Sequence, residues 1–119
     1  MYSNNLINDL KKEIRTAKIH GILLYSLSRH EFIRPTTIAK ALKSFSGGHD
    51  FNESLNQIME HNYHKKEPFI NAIIVTGSGD YPSKKFFDKA RELGALDSQD
   101  ETAEKTFWTN QLRELGFIE

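Results

Sequence analysis

The clearest hydrophobic pattern lies near the start of the chain, where apolar residues recur three and four positions apart among polar ones. These apolar residues are Leu6, Ile7, Leu10, Ile14 and Ala17. The spacing is typical of an amphipathic α-helix, which Ser3 or Asn4 would cap at its start. His20 and Gly21 interrupt the pattern, and the apolar run that follows fits either a buried helical turn or a short strand. Residues 19–25 are therefore predicted to be either helix or strand, and the pattern does not separate the two.

Two shorter helices are predicted in the middle of the chain. Thr36 and Thr37 are good capping residues for the first, which would end at the glycine pair 47–48. Its apolar residues are Ile38, Ala39, Ala41, Leu42 and Phe45. Asn52 can cap the second helix, and Pro68 ends any continuation of it. Its buried face would contain Leu55, Ile58 and Met59, together with Asn62 or Tyr63.

Residues 69–76 read as a β-strand, because the segment is rich in β-branched residues and is bounded by Pro68 and Gly77. A single strand leaves its backbone donors and acceptors unpaired, so it needs a neighbour. The candidates are residues 19–25 and residues 32–34. A small sheet of two or three strands is therefore predicted.

Two helices complete the pattern after a tight loop at residues 77–82. Ser83 opens the first and Gly94 ends it, with Phe86, Phe87, Ala90 and Leu93 facing inward. The last helix begins at Ser98, whose spacing from Glu101 matches a capping box. It carries Phe107, Trp108, Leu112 and Leu115. The prediction is one α+β domain over residues 1–119, with about five helices and a small sheet.

Composition narrows the class of protein. The chain has 119 residues, which suits one hydrophobic core, and its apolar runs are far shorter than a membrane span of roughly 20 residues. It has no cysteine, so disulfides and thiolate metal sites are excluded, and we expect a cytoplasmic protein. The net charge is zero, but residues 1–50 carry 8 basic against 4 acidic side chains and residues 51–119 carry 8 against 12. A chain with no net charge lacks the broad basic field that drives strong nonspecific binding of nucleic acid, and from the short apolar runs we expect no membrane partner.

The order helix, short strand, helix, turn, helix, strand over residues 6–81 resembles the winged helix-turn-helix family. Residues 35–42 resemble the first crossing helix of that family, which implies that the next helix enters the DNA major groove. The residues that would then contact nucleic acid are Asn56, Gln57, His61, Asn62, Lys65 and Lys66. The chain departs from the family where Pro82 replaces a returning strand, and where Glu53 and Glu60 add negative charge to the reading helix.

Two weaker motifs have both a functional and a structural interpretation. His61 and His64 could share a metal with His49 or Glu60, but imidazoles also suit the negative end of a helix dipole. The glycine-rich run 77–79, followed by Lys84 and Lys85, could cradle a phosphate, although it matches no established phosphate motif and also fits a simple turn. We expect no metal and no cofactor.

The leading hypothesis is a non-catalytic protein that binds a macromolecular partner, most simply another protein, in the manner of a small bacterial or phage inhibitor, immunity protein or adaptor. A winged-helix DNA-binding regulator is the alternative. The acidic stretch before and within the last helix would steer a basic partner, or would cap that helix, and exposed aromatic side chains would anchor the partner. The candidate partner-binding residues are Asp97, Asp100, Glu101, Glu104, Phe87 and Phe107.

Overall fold

The longest element is α1, a 25-residue helix that spans Asn4–Ser28. The computed structural model describes residues 4–43 and 48–119, so Ser3, one of the two proposed capping residues, lies outside the described residues. The predicted first helix is confirmed, but the predicted interruption at His20 and Gly21 is wrong. Gly21 costs a helix about 1 kcal/mol relative to alanine, and the complete burial of Ile19 and Leu23 on the same helix outweighs that cost.

Four more α-helices follow among the described residues. They are α2 (Pro35–Leu42), α3 (His49–His64), α4 (Lys84–Leu93) and α5 (Glu101–Glu114). Helix α2 starts with Pro35, whose ring suits the first helical position, and it ends earlier than predicted because Lys43 is left-handed, with φ 54°. Phe45 and Gly47, which the prediction assigned to this helix and its end, lie outside the described residues. Helix α3 starts at His49, three residues before the predicted cap at Asn52.

The last two helices differ in how well their ends were predicted. Helix α4 has Ser83 as its N-cap and ends at Gly94, whose φ of 90° strains any residue with a Cβ. Both ends of α4 are therefore confirmed. Helix α5 has Asp100 as its N-cap, and no side-chain capping hydrogen bond forms. The Ser98 hydroxyl instead accepts a hydrogen bond from the Asp100 N–H at 2.9 Å, so the predicted capping box is wrong.

Residues 69–76 do not form the predicted strand. Ile70–Ile73 is a 3-10 helix, and the extended backbone after it makes isolated bridges only, a parallel one between Ile33 and Ile74 and an antiparallel one between Thr76 and Tyr81. The described residues contain no sheet, so the predicted α+β class and the winged-helix-like core are wrong. The pairing stops at one rung because the chain is helical up to Ser28 and again from Pro35.

Side chains from neighbouring helices form hydrogen bonds with the backbone of this segment, in place of the second strand of a sheet. The Phe69 N–H donates to Gln111 Oε1 at 2.7 Å, and the Ile70 N–H donates to Asn62 Oδ1 at 3.2 Å. The Trp108 Nε1–H donates to the Ala72 carbonyl at 2.8 Å. Residues 69–75 are all buried, so water cannot reach their backbone groups and these side chains supply the hydrogen bonds instead.

Buried apolar side chains of all five helices and of residues 69–74 form one hydrophobic core. The amphipathic face predicted for α1 is not part of it: Leu10 is 54% exposed and Ile14 is 55% exposed. The first half of α1 instead turns polar side chains toward α3, where Arg15 Nε donates to Ser54 Oγ at 2.8 Å and Lys12 pairs with Glu53 at 2.6 Å. The apolar stripe of an amphipathic helix usually packs on the core, but this one faces outward.

We expect the Gln111→Leu substitution to lower the free energy of unfolding by about 1–3 kcal/mol, because it leaves the buried Phe69 N–H without an acceptor. Urea denaturation followed by circular dichroism measures the change. Asn110→Ala, on the exposed neighbouring position, is the matched control and should change the stability by less than about 0.5 kcal/mol. Equal effects of the two substitutions would contradict the role of Gln111.

Candidate functional groove between α3 and α4

A groove of about 640 Å³ lies between α3 and α4. Apolar side chains from both helices and from the extended backbone after the 3-10 helix form its floor. They are Phe51, Leu55, Met59, Ile74 and Phe86. The volume is within the range of about 300–1,000 Å³ that is usual for binding pockets. We call this concavity the α3/α4 groove.

Charged residues of α4 line the rim of the α3/α4 groove, and most of them are already paired. Asp88 Oδ1 lies 2.6 Å from Arg91 Nη2, and Glu92 Oε2 lies 3.3 Å from Lys89 Nζ. Lys84 and Lys85 are exposed and have no carboxylate within 4.0 Å among the described residues. The unbalanced charge at the rim is therefore positive.

The position of these two lysines is unfavourable for the helix itself. Lys84 and Lys85 are the first two residues of α4, where the helix dipole is positive and acidic residues are preferred. The Ser83 side chain makes no capping hydrogen bond to the helix. The end of the groove thus combines two lysine side chains with a helix N-terminus, and both attract an anionic group.

Lys89 is the buried cation of the groove. Its side chain is 8% exposed, and Nζ lies 2.8 Å from Glu60 Oε2, which joins α4 to α3. Burial opposes the charge of Lys89, but the hydrogen bonds to Glu60 and Glu92 outweigh burial and raise its pKa above 10.5. Because the pKa is raised, this stabilising contribution is complete below pH 10.5 and is lost as the pH rises through the folded-state pKa.

A buried acceptor lies at the same groove. Asn71 lines the groove and is 5% exposed; its Nδ2 donates to the Leu55 carbonyl at 3.0 Å. Asn71 Oδ1 has no hydrogen-bond partner among the described residues. An unsatisfied buried acceptor costs about 1–3 kcal/mol, so a donor that reached it from a bound molecule would add affinity.

The residues proposed for nucleic-acid binding do not share one surface. Asn56 is exposed at the α3/α4 groove, whereas Gln57 faces α1 and donates to Glu13 Oε1 at 3.0 Å. His61 lies on the α1 side of α3 as well. Asn62 is buried and accepts from the backbone of Ile70, so it has a structural role. Lys65 and Lys66 are exposed beyond the end of α3.

The residues proposed for partner binding are also divided. Asp97, Asp100 and Glu101 are exposed, but Glu104 is half-buried, and its Oε2 accepts from Arg91 Nη1 at 2.7 Å.

The two aromatic candidates belong to the core. Phe87 is 2% exposed and cannot contact a partner. Phe107 is half-buried and packs against Phe69 and Phe86, with ring centroids about 6 Å apart. Helix α4 is covered over enough of its surface to bury both Phe86 and Phe87.

The histidines considered for a metal are not brought together with a third ligand. Among the described residues, the group that converges is His49, Asp50 and Glu53 at the start of α3. Glu53 already pairs with Lys12 and with His49, and the hydrogen bond from Lys12 is the main cause of its lowered pKa. An ion-pair cluster accounts for this arrangement.

The loop at residues 77–82 is held by Arg34. Arg34 Nη1 donates to the Gly77 carbonyl at 2.7 Å, and Nη2 donates to Asp80 Oδ1 at 2.6 Å. Asp80 therefore already pairs with the arginine side chain that a bound phosphate would otherwise use. Lys84 and Lys85, which the sequence linked to this loop, instead line the α3/α4 groove.

Sequence reasoning did not find the groove, because its lining comes from residues spread between Pro35 and Glu92. One local signal was available. Two lysines in the first turn of a helix contradict the usual charge preference, and such a contradiction often marks a functional site.

Comparisons with protein-family models, with curated proteins and with solved structures gave no match to this chain. In the part of the chain that the structure describes, no helix is both long enough and apolar enough to span a membrane.

We expect the Glu104→Ala substitution to lower the free energy of unfolding, because Glu104 Oε2 accepts a hydrogen bond from the Arg91 side chain of α4 and so ties α5 to α4. The midpoint of urea unfolding measures the effect. Asp97→Ala removes a carboxylate from the same acidic stretch at an exposed position and should change the stability by less than about 0.5 kcal/mol. If both variants unfold like the wild type, Glu104 does not have the structural role assigned to it.

Proposed function

We propose that this protein is a non-catalytic cytoplasmic binding module that holds an amphipathic helix of a partner protein in the α3/α4 groove. The observation that carries the proposal is the combination of an apolar floor with two unpaired lysines at one end of the groove. The partner helix would place its apolar face on the floor and an acidic side chain beside Lys84 and Lys85.

The shape of the site supports a helical occupant. Helices α3 and α4 form the two walls, so a third helix can lie between them with anchors at positions i, i+3, i+4 and i+7. Leu55 is half-buried and offers apolar surface to such anchors, above the buried side chains of Phe51 and Phe86. The packing would supply most of the affinity, since apolar anchors in pockets dominate protein interfaces.

The charges of the site support an acidic partner. Asp88 and Glu92 are engaged by Arg91 and Lys89, so they do not cancel the charge of Lys84 and Lys85. A carboxylate at the start of α4 would pair with the lysines and would interact favourably with the helix dipole. The lysines would therefore fix the direction of the bound helix and speed its association.

Two synthetic peptides of about 16 residues test this proposal. They share one apolar helical face, and one is flanked by glutamates whereas the other is flanked by lysines. We expect the glutamate peptide to bind the full-length protein and to shift the backbone amide resonances of Leu55, Met59 and Phe86. The lysine peptide should bind more weakly, because its flanks repel Lys84 and Lys85.

The double substitution Lys84→Glu, Lys85→Glu should weaken binding of the glutamate peptide about five- to thirty-fold at low salt, since it converts two attractions into repulsions. Lys65→Glu, Lys66→Glu changes the net charge equally outside the groove and should weaken it less than about two-fold. Equal weakening by the two double variants, or no shift at the groove resonances, would refute the proposal. Duplex DNA binding that is lost in the Lys65→Glu, Lys66→Glu variant would support a nucleic-acid partner instead.

A further inference from the structure

The exposed face of α1 carries an apolar stripe along most of the helix. Its members, which we call the α1 seam, are Ile7, Leu10, Ile14, Ala17, Gly21 and Leu24. All six are exposed, including Leu24 at 48%. At about 1.5 Å per residue the seam is roughly 26 Å long. Apolar patches of this extent are uncommon on monomeric proteins and mark interaction surfaces.

The spacing of the α1 seam is that of a two-stranded coiled coil. Its members alternate between steps of three and four residues, which gives the 3.5-residue period of a heptad repeat. On a helical wheel the seam lies about 180° from Ile19, Leu23 and the other residues that pack on the body of the protein. A second helix can therefore lie along the seam without displacing α1 from α3.

The order of large and small residues indicates which helix fits. The first half of the seam is bulky and the second half contains Ala17 and Gly21. When a second copy of α1 is laid along the seam in the reverse direction, Leu10 faces Gly21, Ile14 faces Ala17, and Ile7 faces Leu24. A parallel copy would place Gly21 on Gly21 and Ala17 on Ala17, which leaves the second half of the interface poorly filled.

We propose that the α1 seam is a dimer interface, in which two copies of this chain pair through antiparallel α1 helices. This surface is separate from the α3/α4 groove. A C2 pair of this kind is isologous, so one stripe serves both copies. Six residues from each copy make a small interface beside the roughly 20–30 residues per side of a standard one, so we expect a dissociation constant in the micromolar range or weaker.

The flanking charges make the orientation testable. In the antiparallel pair Lys11 lies beside Lys18 of the second copy, whereas in a parallel pair Glu13 would lie beside Lys18. The antiparallel arrangement keeps this like-charge contact twice, once from each copy, but salt screens it at an exposed site, and every apolar layer is filled. Exposed ion pairs contribute little compared with an empty apolar layer, so packing decides the direction.

Analytical ultracentrifugation of the full-length protein between about 5 and 500 µM tests the dimer. The double substitution Leu10→Gln, Ile14→Gln should raise the dissociation constant at least ten-fold. It replaces exposed residues with a good helix former, so the circular dichroism of the dilute protein should stay unchanged. Asn8→Gln, outside the seam, should leave the dissociation constant unchanged. A wild type that stays monomeric at 500 µM, or a dimer unaffected by the double substitution, would refute the proposal.

The Lys18→Glu substitution tests whether the two α1 helices run antiparallel. Its expected result is tighter association, which a misfolded protein would not give. It should strengthen an antiparallel dimer several-fold, because it converts the Lys11 contact into an attraction. In a parallel dimer it would create repulsion with Glu13 and weaken the association, which would overturn the antiparallel assignment. Since the chain has no cysteine, an oxidised mixture of Ile7→Cys and Leu24→Cys proteins should give a mixed disulfide dimer. Disulfide dimers from Ile7→Cys alone would also overturn it.

Discussion

The structure depends on satisfying the backbone of one buried, irregular segment. Residues 69–75 cross the middle of the protein away from water, and they have neither the internal ladder of an α-helix nor a full neighbouring strand. Each buried N–H or C=O left without a partner would cost about 1–3 kcal/mol, a large share of the stability of a small domain. Asn62, Gln111, Trp108 and Ile33 supply the partners, so α3, α5 and the connection before α2 must be placed accordingly.

The α3/α4 groove follows from this arrangement. Asn71 donates to the Leu55 carbonyl, which ties the buried segment to α3, and Ile74 then forms part of the groove floor. Lys89 reaches across from α4 to Glu60 on α3 at 2.8 Å and joins the two walls. These contacts fix the groove through residues distinct from Lys84 and Lys85, which have no structural partner among the described residues. The two lysines can therefore be changed to study binding without dismantling the site.

Helix α1 has two faces with different roles. Its packing on the protein is partly polar in the first half, through the contacts of Lys12, Arg15 and Thr16 with α3, and apolar in the second half through Ile19 and Leu23. The α1 seam is the more regular apolar stripe, yet it contributes little to the core. Stability of the monomer and association between copies therefore rest on different residues of one helix.

Features that depend on near neighbours along the chain could be predicted from the sequence. Ser83 and Gly94 mark the ends of α4, because a cap and a left-handed glycine act within one turn, and the inward side of α4 follows from its 3.6-residue period. The strand prediction for residues 69–76 was wrong because β-branched composition describes a buried extended segment, whereas a strand also needs a neighbour. Long-range packing of α3 and α5 places Asn62 and Gln111 as the hydrogen-bond partners of this segment, and no local pattern indicates that. The same holds for α1: its apolar period looks alike whether the stripe meets its own core or another chain, and the packing of Ile19 and Leu23 on the opposite side turned the stripe outward.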